Sequence, residues 1–182
     1  MQTKKKTQIL LMLTILTLCF ASRAFAEVQN VNHAATVSVP SIMSIAADTG
    51  SFTLTMPGFA SGSESDTKTI VYTVQSNDIQ QGDDATVIDA AIDFAYDRID
   101  LKAQVGSYTK TAGNTELQAA SAGYVTIGAG SNTVLAKKAN TTADSDGRVL
   151  QGTFPVTYKA VATADLSAGD QTHILYVNMT SR

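Results

Sequence analysis

The stretch Thr67-Lys-Thr-Ile-Val-Tyr-Thr-Val-Gln75 decides the fold class, because its apolar and polar residues alternate with a period of two. Ile70, Tyr72 and Val74 fall on one face of an extended chain, and the residues between them fall on the other. This pattern predicts a β-strand that buries one side of its sheet against a core.

Other stretches of the chain repeat this alternation and end at turn residues. They are Ala35–Val39, which Pro40 stops by removing a donor, Phe52–Met56, Ile99–Val105 and Phe154–Ala162. The closing strand is predicted at His173–Thr180, and the apolar residues on both its faces favour a central strand or one covered on both sides. Seven or more short strands predict an all-β fold, an antiparallel Ig-like or Greek-key β-sandwich.

Two segments in the middle of the chain are less regular. Asp84–Asp100 fits both a helical face and a strand, and we favour a short helix or helical turn near Val87–Ala91 followed by strands. Gly123–Gly128 and Thr133–Lys137 predict two strands joined as a hairpin through the glycine-containing loop between them. The expected sandwich therefore includes at most one short helix or helical turn.

The first 26 residues have the three parts of a secretory signal peptide. Lys4–Lys6 form a basic region, Ile9–Phe20 an apolar region too short to span a membrane, and Ala24–Ala26 a cleavage site, so Glu27 should begin the mature chain. The only cysteine, Cys19, lies inside this segment. We therefore expect a secreted, periplasmic or cell-surface protein that folds without disulfides.

Residues 27–182 have the length of one domain, and we expect a single β-sandwich there. The polar stretches Gly58–Asp66 and Asn140–Gly147 predict exposed loops, neither of them long enough to link two domains. The mature chain carries nine basic and 16 acidic residues, a net charge of −7, which argues against nucleic acid as a partner.

The sequence assembles no catalytic or cofactor motif. Its two histidines are His33 and His173, no cysteine remains after cleavage, and no Gly-x-Ser-x-Gly occurs, so a strand-end or surface position is favoured for each histidine. Acidic residues cluster at Asp78–Asp84 and Asp93–Asp100, but sequence spacing does not establish the roughly 5–10 Å cleft geometry of a glycosidase. We predict that the protein is not an enzyme and has no catalytic, cofactor-binding or metal residues.

One acidic loop resembles part of a calcium site. Asp144-Ser-Asp-Gly147 has alternating oxygen ligands and a glycine, but Thr142 and Thr153 occupy the first and last ligand positions of the loop. An ordinary Asp-Gly turn is the favoured interpretation. The glycosylation sequons at Asn140 and Asn178 are interpreted as incidental, since the signal has a bacterial character.

The ends of the mature chain resemble a known class of protein. The strand that ends in Pro40, the stretch Tyr72–Asn77 and the ending formed by Phe154–Tyr158, Leu166–Asp170 and Ile174–Thr180 resemble the exported Ig-like sandwiches of bacterial surface and fimbrial-type subunits. The closing turn and strand are similar to those of spore coat U-like pilin domains. This resemblance implies a structural role in a surface assembly.

Assembly by strand exchange requires an N-terminal extension with apolar residues at alternate positions. Glu27–Asn32 supplies only Val28 and Val31, which cannot share a face of one regular strand, so a donor would also draw on Ala35–Val39. An ordinary first strand with a ragged terminus is the interpretation we favour.

These observations together predict an exported structural or adhesive surface protein that acts through protein–protein contacts. Its partners would be other copies of itself or other surface proteins, and it would not insert into a membrane after cleavage of the signal. The alternative is an extracytoplasmic module that binds carbohydrate or another ligand through loops at one end of the sandwich. Exposed tyrosines would then offer a stacking platform for sugars, the candidates being Tyr72, Tyr96, Tyr108 and Tyr124.

Overall fold

The computed structural model describes residues 36–79, 86–139 and 149–181. The chain divides into two units, residues 1–38 and 39–182, and all of the described strands lie in the second. Of the first unit only residues 36–38 are described, and they are exposed. The predicted signal peptide and its cleavage site therefore lie outside the described residues.

Ten strands and no helix occur in the described ranges, and every strand pairing is antiparallel. The strands are β1 (Met43–Ala47), β2 (Lys68–Ser76), β3 (Thr86–Ile92), β4 (Ile99–Val105), β5 (Thr109–Gly113), β6 (Leu117–Ala119), β7 (Val125–Thr126), β8 (Thr133–Lys138), β9 (Leu150–Ala162) and β10 (Leu175–Ser181).

The strands form two sheets. The first has the order β1-β2-β9-β4-β7, and β5 also pairs with the long strand β9. The second has the order β10-β3-β8-β6. Strand β9 pairs with β2 along one edge and with β5 and then β4 along the other, so it is the centre of the first sheet. Strands β1 and β10 each end a sheet.

The inward faces of both sheets build one core. Ile70, Tyr72 and Val74 of β2 are 4%, 6% and 0% exposed, as their alternation predicts. The Tyr72 ring stacks on Phe154 of β9, and its hydroxyl lies 2.8 Å from that of Tyr158. The second sheet contributes the buried residues Ile88, Ala90, Ile92, Leu135 and Ala136. The prediction of an antiparallel all-β sandwich is confirmed.

The predicted helical turn at Val87–Ala91 is wrong, because this segment lies within strand β3. Ile88 and Ala90 face the core, but Asp89 and Ala91 on the opposite face are also buried. A strand buried on both faces loses the alternation of apolar and polar residues, and its apolar spacing then fits a helix equally well.

The predicted hairpin between residues 123 and 137 is also wrong, because β7 belongs to the first sheet and β8 to the second. The loop between them carries the chain across the sandwich. The Ile127 amide donates to the Leu101 carbonyl in the first sheet. The carbonyl of the following residue, Gly128, accepts the Ile92 amide in the second sheet. Sequence spacing indicates that two strands are joined but not that they share a sheet.

The remaining strand predictions have mixed outcomes. Strand β4 has the predicted bounds, β2 and β9 match closely, and β5 and β6 were missed. The predicted first strand forms no strand in its described part, residues 36–39, and β1 begins only after Pro40. The closing strand β10, predicted to be central or covered on both sides, lies at the edge of its sheet among the described strands.

Residues Phe52–Met56 keep the predicted alternation of burial but join no ladder. Asp66 holds this segment, because its carboxylate accepts the Thr55 amide at 2.7 Å and pairs with Lys68 at 3.0 Å. Both partners lower the pKa of Asp66, the Thr55 amide most strongly. Phe52 consequently stacks on the Tyr158 ring at the edge of the core.

Candidate functional site

One side of the sandwich ends in the two edge strands β1 and β10, and we term these two strands the open side. Within the described residues, β1 pairs only with β2 and β10 only with β3. The two edge strands are in contact with each other. Each therefore has one long edge along which no other described strand pairs, and such an edge can accept an additional strand.

The side chains of the open side cover the core incompletely. Leu175, Val177 and Met179 of β10 and Ile45 of β1 pack against the core but are only partly buried. By contrast, Ile88, which lies beside Met179 in the neighbouring strand β3, is fully buried. The inward face of β10 is thus apolar and partly accessible to solvent, which is an unfavourable arrangement for an isolated sandwich.

The segment that precedes β1 is apolar and exposed. Residues 36–42 form no regular structure and are exposed throughout. Val37 is 86% exposed and Val39 is 75% exposed, and Ile42 and Met43 are 42% and 48% exposed. Val37 and Val39 are two residues apart, so in an extended chain they would share one face.

Asp78 joins the start of this sandwich to its end. The Ser41 hydroxyl donates to the Asp78 carboxylate at 3.0 Å, and the Ser181 hydroxyl at the end of β10 donates to the Asp78 carbonyl at 2.9 Å. The Asn77 side-chain amide donates to the carbonyl of Pro40 at 2.8 Å. Ser41, just before β1, and Ser181, at the end of β10, are therefore both bonded to Asp78.

The other end of β10 is held by His173 and Asp93. The Nδ1 of His173 lies 3.2 Å from Oδ1 of Asp93, and that carboxylate oxygen also accepts the amides of Ile174 and Phe94. The ring of Tyr96 lies edge-on to the imidazole with 4.3 Å between ring centres. Burial raises the pKa of Asp93, but the two amides and His173 together outweigh burial and lower it.

The remaining acidic residues of the sequence analysis do not form one cluster. The Asp97 amide donates to Gln171, whereas Asp100 lies opposite Val161 in the first sheet. Within the described ranges, no three His, Cys, Asp or Glu residues are arranged to hold a metal ion. The candidates that lie outside the described residues are His33, Asp83, Asp84, Asn140 and Asp144–Gly147.

None of the four tyrosines considered for sugar stacking is fully exposed. Tyr72 is buried, and Tyr96, Tyr108 and Tyr124 are half-buried. The Tyr124 ring lies 4.5 Å from Nζ of Lys159, which covers it. The Tyr108 hydroxyl is buried and has no hydrogen-bond partner among the described residues, and burial together with the charge of Glu116 raises its pKa to about 12.

Comparisons with known proteins provide no assignment. No family model, curated protein or solved structure matches this chain. The resemblance to exported surface and fimbrial-type subunits thus stays a prediction. The described ranges contain no helix long and apolar enough to cross a membrane.

Sequence reasoning missed the open side because it interpreted β10 as covered on both faces. Its inward residues Leu175, Val177 and Met179 alternate with Tyr176 and Asn178, a pattern typical of a strand with one face in solvent. The exposed Ile174, just before the strand, obscured this pattern. A stricter count of alternation would have indicated a solvent face, but not the free edge.

Proposed function

We propose that the protein is an exported structural subunit of a surface or fimbria-like assembly and that it acts through protein–protein contacts at its open side. The observation that carries this proposal is the combination of a free edge and an apolar, partly exposed inward face in one strand, β10. Natural sandwiches usually protect such an edge with charges, prolines or bulges. In β10 the seven residues include neither a charge nor a proline.

The contact we propose is the addition of a strand to β10. A partner strand would pair with the outer edge of residues 175–180 of β10, along which no other described strand lies, while its alternate side chains would cover Val177 and Met179. Alternate residues of a strand are roughly 7 Å apart, so two apolar residues two positions apart can face these two side chains.

The occupant we propose is the segment around Val37 and Val39 of a second copy of this chain. These two valines have the required spacing, and they are 86% and 75% exposed, so each has apolar surface left to bury. The Thr36 and Ser38 side chains would lie on the outer face of the added strand, where polar residues are favourable.

The experiment compares the size of two purified chains by light scattering over a range of concentrations. Residues 27–182 should form oligomers or polymers that grow with concentration. Residues 40–182, which retain every described strand, should remain monomeric and fold normally. Adding a synthetic peptide of residues 27–39 to the shorter chain should give a one-to-one complex.

Several outcomes would contradict the proposal. If both chains are monomeric and the peptide does not bind, strand addition at β10 is excluded. The ligand-binding module would instead be supported if the protein bound selectively to a glycan array and a single loop tyrosine substitution abolished that binding. Export is tested separately by mass spectrometry of the protein secreted from a cell that expresses the full chain, where an N-terminus other than Glu27 would contradict the predicted cleavage.

A further inference from the structure

We infer that the loops at one end of the sandwich form a carbohydrate-binding site in which the exposed rings of Phe59 and Phe94 stack on a sugar. The site consists of residues 57–66, 93–98 and 163–174, which we term the loop end. No residue of the loop end belongs to β1 or β10, so the inference does not depend on strand addition at the open side. Neither ring is among the four tyrosines considered from the sequence.

The strand pairings place two of these loops at the same end of the sandwich. Residues 93–98 connect β3 to β4, and residues 163–174 connect β9 to β10. The first residue of β4 pairs with the last residue of β9, and the last residue of β3 pairs with the first residue of β10. Both connections therefore cross from one sheet to the other at this end.

The third loop, residues 57–66, is bonded to the end of β9. The Gly62 amide donates to the Ala162 carbonyl at 2.8 Å. The Leu166 amide donates to the Phe59 carbonyl at 2.7 Å. The backbone that carries Phe59 is thus fixed against the connection between β9 and β10.

Side chains tie the two connections to each other. Nη1 of Arg98 donates to the Asp165 carbonyl at 3.0 Å. The Gln171 side chain accepts the Asp97 amide at 2.7 Å and donates to the Asp97 carbonyl at 3.1 Å. Arg98 has a φ of 59°, which is uncommon for a residue other than glycine. Because these contacts order the loops before a ligand arrives, binding costs little conformational entropy.

The loop end exposes large apolar side chains on this ordered backbone. Phe59 is 73% exposed and Phe94 is 70% exposed. The Asp93 carboxylate accepts the amides of Phe94 and Ile174, and Ile174 is 57% exposed. Exposure of these side chains to water is unfavourable. Aromatic side chains accompanied by a few polar groups are typical of ligand sites.

Polar groups lie in the same loops as the rings. The Asp97 and Arg98 side chains are 84% and 55% exposed, and Gln171 is also exposed. A carboxylate accepts several hydrogen bonds, a guanidinium donates several, and an amide does both. The loop end therefore offers donors and acceptors beside its apolar rings.

This combination fits a sugar better than an apolar protein surface. A pyranose ring has a face of C–H groups, which packs on the electron-rich face of an aromatic ring. Its hydroxyl groups need both donors and acceptors. The core of a protein interface is depleted of charged residues, whereas the loop end carries an exposed carboxylate and an exposed guanidinium.

Binding of residues 27–182 to an array of immobilised neutral oligosaccharides tests the inference. We expect selective binding to at least one oligosaccharide, and calorimetry with that oligosaccharide in solution measures the Kd. F59A and F94A should each raise this Kd by at least about tenfold, because an aromatic anchor carries a large share of the binding energy. V71A is the matched control and should not change the Kd, since Val71 is 36% exposed but lies opposite Pro155 in the first sheet, outside the loop end.

A second pair of variants separates stacking from a general apolar contact. F94Y keeps the flat ring, whereas F94L keeps an apolar side chain without the ring. Stacking on a sugar requires that F94Y binds like the wild type and that F94L binds as weakly as F94A. Equal binding by F94L and the wild type would overturn the stacking role of Phe94.

The absence of selective binding, or binding that survives both F59A and F94A, would overturn the inference. Binding that depends on a loop tyrosine alone would do the same. Circular dichroism shows whether each variant is folded, and if F59A or F94A does not fold, the comparison of F94Y with F94L decides. Light scattering on F94A separates the two proposals, because strand addition at β10 predicts unchanged self-association whether or not sugar binding is lost.

Discussion

Replacing Val37 and Val39 together with serine should weaken self-association without weakening the fold. The V37S/V39S variant removes the apolar face of the segment that we propose to dock on β10. Both side chains are largely exposed in the single chain. Their truncation should therefore leave the free energy of unfolding of the monomer within about 0.5 kcal/mol of the wild type.

The size of the effect follows from how much of each valine is left to bury. Complete burial of a valine side chain stabilises by about 1.5 kcal/mol. Because Val37 is 86% exposed and Val39 is 75% exposed, docking can add about 1.3 and about 1.1 kcal/mol, or about 2.4 kcal/mol in all. Each 1.4 kcal/mol is about tenfold in affinity, so the Kd should rise by up to about 50-fold.

Sedimentation velocity on residues 27–182 over a concentration series measures this Kd. The matched control is T36A/S38A, which changes the alternate side chains of the same segment and should have little effect on association. An equal Kd for V37S/V39S and T36A/S38A would refute the reasoning, because it would mean that the valine face of the segment makes no contact in the assembly.

Three further predictions concern the core and the charge of the sandwich. Phe154→Ala should lower the free energy of unfolding, measured in urea, by about 3–5 kcal/mol because Phe154 is 1% exposed. The control Phe94→Ala should change it by less than about 0.5 kcal/mol because Phe94 is 70% exposed. Tyr158→Phe should lower the free energy of unfolding by about 1–3 kcal/mol, since it leaves the Tyr72 hydroxyl buried without its partner. The double variant Y72F/Y158F should recover much of this loss, and additive losses from the two substitutions would contradict a coupled pair. Because the pKa of Asp66 is lowered in the folded protein, its carboxylate stabilises the fold above about pH 4, and this contribution is lost as the pH falls. The Asp66→Asn variant should therefore lose less stability than the wild type when the pH falls below about 4. An unchanged dependence of stability on pH would be evidence against this contribution.

Strands with one buried face could be predicted from the sequence. β2, β4 and β9 alternate strictly because one face of each packs on the core and the other meets solvent. β3 was mistaken for a helical turn since both of its faces are buried. β6 spans three residues, which is too short for a period to be recognised.

The candidate site was only partly accessible to sequence reasoning. The alternation of Val37 and Val39 was visible, but it was assigned to an internal first strand, which the structure begins after Pro40. His173 was expected on the surface or at a strand end, and it lies two residues before β10. Its partner Asp93 is 80 positions away in the chain, so no local pattern in the sequence indicated their contact.

The sequence by itself determined the all-β class and the inward residues of the best strands, because burial on one side of a strand imposes a period of two on neighbouring residues. The tertiary structure alone decided which strands share a sheet and which end one. Strand order depends on pairings between distant segments, such as β2 with β9 and β3 with β10. Since a free edge and a paired edge place the same demands on side-chain alternation, the open side became visible only after the sheets were assembled.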